Sequence, residues 1–409
     1  MKRVLAVALG ILTAIGGFVD VGELVFNSQA GARFGYNLIW VILVGMVGIM
    51  VYSEMCGRVA AVSARPVFDL VRERLSFTPG LVTLVAAQFV NLLTLVAEVG
   101  GAALVLELVL GPSYRWMGFP VAAVLALLVW FLPYDVLERA FAYFGLGLMV
   151  FVAGAVALHP DWMTAAKGMV PQVDSASPAL YCYFIVGILG ATMTPYEMYF
   201  YSSGGVEERW TPADMTDNRL NTFIGYPLGA LIGIAIMVMA AEVFLPREVQ
   251  PQFLATSVLG PAVAFGLVGV ALALVGMFFA MAGAAFEVAL SGAYSMAQFF
   301  GWQWGRLKRP GQTPRFTVAW VVMLLAAGLV VATGIDPVQV TEYSIIFATV
   351  ALPLTYLPVL LVANDRQFMG GHANRWLANS FGVAYMVIIS VVAVAAIPLM
   401  IVTKAGTSG

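Results

Sequence analysis

Charge is what this sequence has least of. Asp, Glu, Lys and Arg make up 10% of its 409 residues, where soluble proteins carry about 25%. The net charge of −2 implies no acidic or basic macromolecular partner, and nucleic acid is not expected. Cysteine and histidine are scarce as well. Cys56 and Cys182 sit in separate apolar stretches and offer no disulfide framework. His159 and His372 lie near polar segments and belong to no zinc pattern. The sequence has no Gly-Lys-Ser phosphate loop, no pair of catalytic histidines and no soluble stretch that would house ATP. Neither an enzyme nor a bound cofactor is expected.

What is present is apolar sequence. Hydrophobic residues make up 61% of the chain, and the mean hydropathy is +0.93. A membrane-spanning helix needs about 20 mostly apolar residues. Eleven stretches meet that need, at roughly 4–28, 37–62, 79–110, 117–133, 140–159, 179–203, 222–245, 261–299, 316–333, 338–363 and 376–403. The connections are short, the longest being about 160–178 and 204–221. One all-α, multi-pass transmembrane domain over 1–409 is therefore expected, in a cell membrane. The start, Met1-Lys2-Arg3 before an apolar run, has the look of a signal peptide. No small-residue cleavage site follows it, and Asp20 and Glu23 interrupt the run.

Lys and Arg gather on the cytoplasmic side of membrane proteins. With eleven helices and a cytoplasmic N-terminus, fifteen of the twenty basic residues fall inside, among them Arg58, Arg65, Arg72, Arg74 and the run Arg306-Lys308-Arg309-Arg315. The outside keeps Arg33, Arg115, Lys167, Arg247 and Lys404. The expected C-terminus is extracellular.

Two of the spans are interrupted. The first contains Gly16-Gly17-Phe18-Val19-Asp20-Val21-Gly22-Glu23, and the sixth Gly190-Ala191-Thr192-Met193-Thr194-Pro195-Tyr196-Glu197. Each puts glycine or proline, with acids, at the middle of an apolar stretch. Irregular backbone at that depth survives only inside protein or beside water. The breaks lie five helices apart, which fits two inverted repeats, about 4–159 and 179–363, followed by an extra helix at 376–403. Asp20, Glu23 and Glu197 bring negative charge to the breaks, and no basic residue is expected nearby. A cation is the favoured substrate. The competing reading makes these acids protonated helix-to-helix glue, or places them in a wet vestibule.

At these breaks the sequence resembles the Nramp family of divalent-metal transporters. The family's Asp-Pro-Gly-Asn motif reads Asp20-Val21-Gly22-Glu23 here, and its Gly-Ala-Thr-x-Met-Pro-His motif reads Gly190-Ala191-Thr192-Met193-Thr194-Pro195-Tyr196. The segments Ala30–Tyr36, Ala97–Ala103, Asp336-Pro337 through Pro353, and Met369-Gly370 are similar too. The resemblance implies a LeuT-type fold working by alternating access. Together with the acids at the breaks, it puts metal contacts at Asp20, Glu23, Ala191, Thr194 and Glu197; Glu98, Tyr196 and Glu287 are candidate pathway residues, with a buried partner or packing role as the competing reading for Glu98 and Glu287.

The departures look like the Nramp-related magnesium transporters. Thr194 stands for the family's metal-binding Met, Glu23 for its Asn, Tyr196 for its His, and Leu95 for an Asp associated with proton transfer. Losing a thioether and gaining a carboxylate moves a site from soft to hard ions. Mg²⁺ usually binds through one or two carboxylates and keeps waters. The leading expectation is a monomeric secondary importer of Mg²⁺, also admitting Mn²⁺, without proton coupling. The alternatives are a proton-coupled Mn²⁺ or Fe²⁺ importer, which Met193 would serve if it faced the ion, an amino-acid permease on the same scaffold, and a metal sensor.

Several polar residues have blander expectations. Gln88 and Asn91 are read as helix-to-helix hydrogen bonds, Glu54 and Arg58 as an ordinary i,i+4 pair, and Arg306-Lys308-Arg309 as an orientation signal. Glu342, Tyr343 and Ser344 open the tenth span.

Overall fold

A computed structural model describes residues 19–172, 177–251 and 254–406, with the side chains of residues 74 and 75 outside that description. Among the described residues, ten helical segments are long and apolar enough to cross a bilayer. They correspond to the second through eleventh expected spans. The first span is represented by α1 (Val21–Phe34); Gly16, Gly17 and Phe18 of its break lie outside the described residues. The remaining helices are α2 (Ile39–Ser63), α3 (Phe77–Leu110), α4 (Tyr114–Phe131) and α5 (Tyr134–Gly145, carried on by a 3₁₀ turn into Met149–Ala157). Then come α6 (Pro178–Thr192), α7 (Pro195–Glu207), α8 (Tyr226–Val243), α9 (Leu259–Phe300), α10 (Pro314–Ala332), α11 (Pro337–Asn364) and α12 (Trp376–Val402).

The expected boundaries fail where a membrane helix begins in charged sequence. The fifth crossing starts at Tyr134 rather than near 140. Its first turns carry Asp135, Glu138 and Arg139, which read as connection, while Tyr134 and Leu137 of the same turns are buried. The connection expected at 204–221 is largely helical for the same reason: α7 runs on to Glu207, and a short helix Met215–Leu220 leads through a π-helical turn, Asn221–Gly225, into α8. A short amphipathic helix, Val67–Leu75, fills the gap between α2 and α3. Inside α9, Gly266 has φ +60°, a value that glycine alone adopts at little cost, and the helix kinks there.

The sixth span divides where its sequence says it must. Pro195 has no N–H to give back to the preceding turn, and its ring disfavours helical geometry in the residue before it. Thr194 is accordingly extended (φ −67°, ψ 130°), and α7 restarts with Pro195 in its first turn, where proline is well tolerated. The divided helix sits at the centre of the molecule. α6 packs against α1, α2, α11 and α12, and α7 against α2 and α9. Small residues let backbones meet: a side chain at Gly31 would strike the Met237 carbonyl of α8, and one at Gly190 would strike Thr349 of α11.

Candidate substrate site at the helix breaks

α1 begins at Asp20, whose Oδ1 accepts the backbone N–H groups of Gly22 (2.8 Å) and Glu23 (3.1 Å). This is ordinary N-capping by a carboxylate, reinforced by the helix dipole. Among the described residues, none of the hydrogen bonds to Asp20 uses Oδ2. Glu98 reaches across from α3, where its Oε1 accepts the N–H of Val21 at 3.2 Å. Glu98 is fully buried, and its Oε2 has no hydrogen-bond partner. A buried carboxylate oxygen without a partner is costly to keep.

Asp20 and Glu98 line the same cavity of about 20 Å³ between the ends of α1, α6 and α7. Thr194 and Tyr196 line it from the break, and Thr94, Thr341 and Ser344 from α3 and α11. Thr94 and Ser344 hydroxyls are 2.9 Å apart. No Lys or Arg contributes to the lining. The volume suits one water-sized occupant. The Tyr196 hydroxyl is buried without a partner, while the Tyr196 carbonyl accepts from Ser291 at 2.8 Å.

The other candidates stand outside this lining. Glu23 is fully buried one turn along α1, where Oε1 accepts from the Thr192 hydroxyl (2.7 Å) and Oε2 from the Asn27 amide. An i,i+4 partner and a neighbouring break residue thus hold it behind Asp20, facing α6 and α8. Glu197 accepts from Thr194 at 3.3 Å and from the Tyr226 hydroxyl. Ala191 is buried in the last turn of α6. Glu287 is buried on α9, within electrostatic reach of Glu197, Glu138 and Arg306. Among the described residues no three His, Cys, Asp or Glu side chains converge as a ready-made metal cluster. The donors at the cavity are two carboxylates and hydroxyls. The sulfur of Met193 lies against Gly48 and the Tyr385 ring, away from the cavity.

Sequence reasoning did not single out Thr94, Thr341, Thr192 or Asn27. The available signal was a hydroxyl or amide in an otherwise apolar run, which in a membrane helix is ordinary glue. Gln88 behaves as expected, donating to Gly292 (3.1 Å) and Ser295 (2.8 Å). Asn91 does not: its buried Nδ2 has no partner.

Sequence comparison extends over almost the whole chain. The model of the natural resistance-associated macrophage protein-like family, Nramp, matches residues 10–398. The chain belongs to the Nramp family. A divalent metal cation transporter, MntH, of Deinococcus radiodurans is 27% identical over 95% of this Nramp chain and 88% of its own length. MntH 1 of Pseudomonas aeruginosa is 29% identical over 92% and 88%. The fold likewise matches crystal structures of the Eremococcus coleocola manganese transporter. One, in complex with an aromatic bis-isothiourea substituted compound, has a TM-score of 0.76 at 20% identity, covering 98% of this Nramp chain and 88% of that one. A mutant form gives 0.79 at 19% identity with the same coverage.

Proposed function

We propose that this protein is a secondary transporter, not an enzyme, that imports divalent metal ions by alternating access, with Mg²⁺ preferred and Mn²⁺ admitted. The observation that carries the reading is the pair Asp20 and Glu98. Two buried carboxylates share one cavity with hydroxyls, one carboxylate oxygen lacks a partner, and no base lines the space. Negative charge without a counter-charge favours a cation. The donors are hard: carboxylate, hydroxyl and water suit Mg²⁺ and Mn²⁺, whereas the one thioether at the break, on Met193, packs elsewhere. The transporter names borne by the relatives support the same substrate class.

The cavity takes a single water-sized occupant, so a hydrated ion reaches it only when the segments around the breaks move apart. That motion is the alternating access proposed here, with the repeats about 4–159 and 179–363 as the two related halves. In this proposal the N-terminus is cytoplasmic, the C-terminus is outside and the protein works as a monomer.

The test is uptake into proteoliposomes with a panel of divalent ions. Uptake of Mg²⁺ and Mn²⁺ that is abolished in a folded Asp20→Ala variant supports the assignment; wild-type uptake in that variant removes Asp20 from the site. A second reading, a proton-coupled Mn²⁺ importer, draws on Glu98, a titratable group that reaches the cavity.

A further inference from the structure

A second cavity, of about 650 Å³, opens at one end of the helices and shares no lining residue with the first. Its walls come from α2, the helix and π turn that lead into α8, the connection between α11 and α12, and α12 itself. Its volume falls within the 300–1,000 Å³ or so typical of small-molecule sites. The lining is divided by chemistry. One part is basic, with Arg58, Arg219 and Arg375; the other is apolar, with Val47, Val51, Phe223 and Phe381 among its members.

The three arginines are not equivalent. Arg58 is consumed by the protein. It holds Glu54 at 3.1 Å, the His372 carbonyl at 2.6 Å and the Asn374 side chain at 2.7 Å, and it is almost wholly buried. Glu54 is thereby neutralised. Arg219 reaches Glu54 only through Nε at 3.6 Å, and its side chain is 62% exposed. Arg375 is exposed, and among the described residues it makes no ion pair. Two guanidinium groups therefore remain at the mouth, with no second carboxylate in the lining to offset them.

The apolar wall is as unusual for an aqueous cleft as it is fitting for lipid. Phe223, Leu377 and Phe381 are half exposed, and Trp376, at the first position of α12, is 74% exposed. Tryptophan at a helix end marks the headgroup level of a bilayer. Basic pockets between membrane helices at that level recognise phosphate headgroups.

We propose that this cavity binds an anionic phospholipid, its phosphate between Arg219 and Arg375 and its upper acyl chains along Val51, Phe223 and Phe381. The lipid would join α2, the entry to α8 and α12 at one membrane face. By the orientation proposed above, that face is the inner leaflet. The inference does not depend on which ion the protein carries.

The experiment is native mass spectrometry of the full chain, purified from vesicles of phosphatidylcholine with phosphatidylglycerol. The expected result is that wild type retains phosphatidylglycerol in preference to phosphatidylcholine. Arg219→Gln with Arg375→Gln should lower retention about twenty-fivefold, as two surface contacts of about fivefold each. Arg139→Gln, an exposed arginine elsewhere, should leave it unchanged. Should the double variant fail to fold, Ala378→Phe fills the cavity while sparing the charges, and should displace the lipid too. Equal retention of the two lipids by wild type, or unchanged retention in the double variant, overturns the proposal. So does displacement by inorganic phosphate at the concentration of added lipid, because the anion alone would then be the ligand.

Discussion

Asp20 and Glu23 are three residues apart and have different work. Asp20 both caps α1 and faces the cavity, so its removal costs a helix terminus as well as a charge. Glu23 holds the Thr192 hydroxyl and the Asn27 amide. Glu23→Ala would leave the Asn27 amide without a partner, at about 1–3 kcal/mol for a buried group, while the Thr192 hydroxyl keeps the Ile188 carbonyl at 2.8 Å. Glu23→Gln retains hydrogen-bonding capacity at that position. We expect Glu23→Ala to lower the thermal midpoint clearly and Glu23→Gln to lower it little, while Mg²⁺ uptake falls in both because the charge is gone. Full uptake by Glu23→Gln would show that the Glu23 charge is not used. At position 194 the issue is selectivity. Thr194 lines the cavity, so Thr194→Met would place a thioether there. The expected outcome is that Cd²⁺ competes with Mg²⁺ better in the variant than in wild type. An unchanged competition ratio would show that the side chain at this position does not meet the ion. Sequence alone left open whether Met193 or Thr194 faced inward, because a broken helix loses the periodicity that assigns faces.

The elements differ in how plainly the sequence announces them. Pro195, with glycines before it and apolar residues on both sides, marks its break without ambiguity, and most crossings are legible from their apolar length. The charged beginning of α5 and the short helix leading into α8 are not, since hydropathy reads Asp135, Glu138 and Arg139 as connection although Tyr134 and Leu137 among them are buried. Arg306 shows the limit most clearly. Counting basic residues assigns it to orientation, whereas in the structure it is only 5% exposed. It pairs with Glu207 (3.5 Å) and Glu208 (2.8 Å) at the end of α7 and lies over the rings of Tyr134 from α5 (4.0 Å) and Phe200 from α7 (5.1 Å). Those partners are more than a hundred residues away for Tyr134 and about a hundred for the rest, and no local pattern announces them. Arg306→Met should destabilise by about 3–5 kcal/mol, because it strands Glu207 as a buried charge. Arg306→Met combined with Glu207→Gln should recover part of that loss. Thermal unfolding in detergent measures both, and additive losses in the double variant would show that the pair is not coupled.

For the molecule as a whole, the energetic question is what drives import. A charge crossing 100 mV gains about 2.3 kcal/mol, so a divalent ion gains about 4.6 kcal/mol, enough for roughly thousandfold accumulation without protons. Leu95 cannot titrate, and tyrosine, the residue type at position 196, has an unperturbed pKa of about 10, too high for easy cycling at neutral pH. We expect proteoliposomes under a fixed potential to take up Mg²⁺ or Mn²⁺ with no internal acidification. Acidification in step with metal uptake, lost in Glu98→Gln, would show that protons travel with the metal. The small cavity at the breaks has a further consequence, in the shape of a rate curve. With one seat in this cavity, each ion must leave before the next can bind. Initial uptake should follow a simple hyperbola with a Hill coefficient of one. Mn²⁺ should raise the apparent KM for Mg²⁺ and leave the limiting rate untouched, as two travellers do when they hold tickets for the same chair.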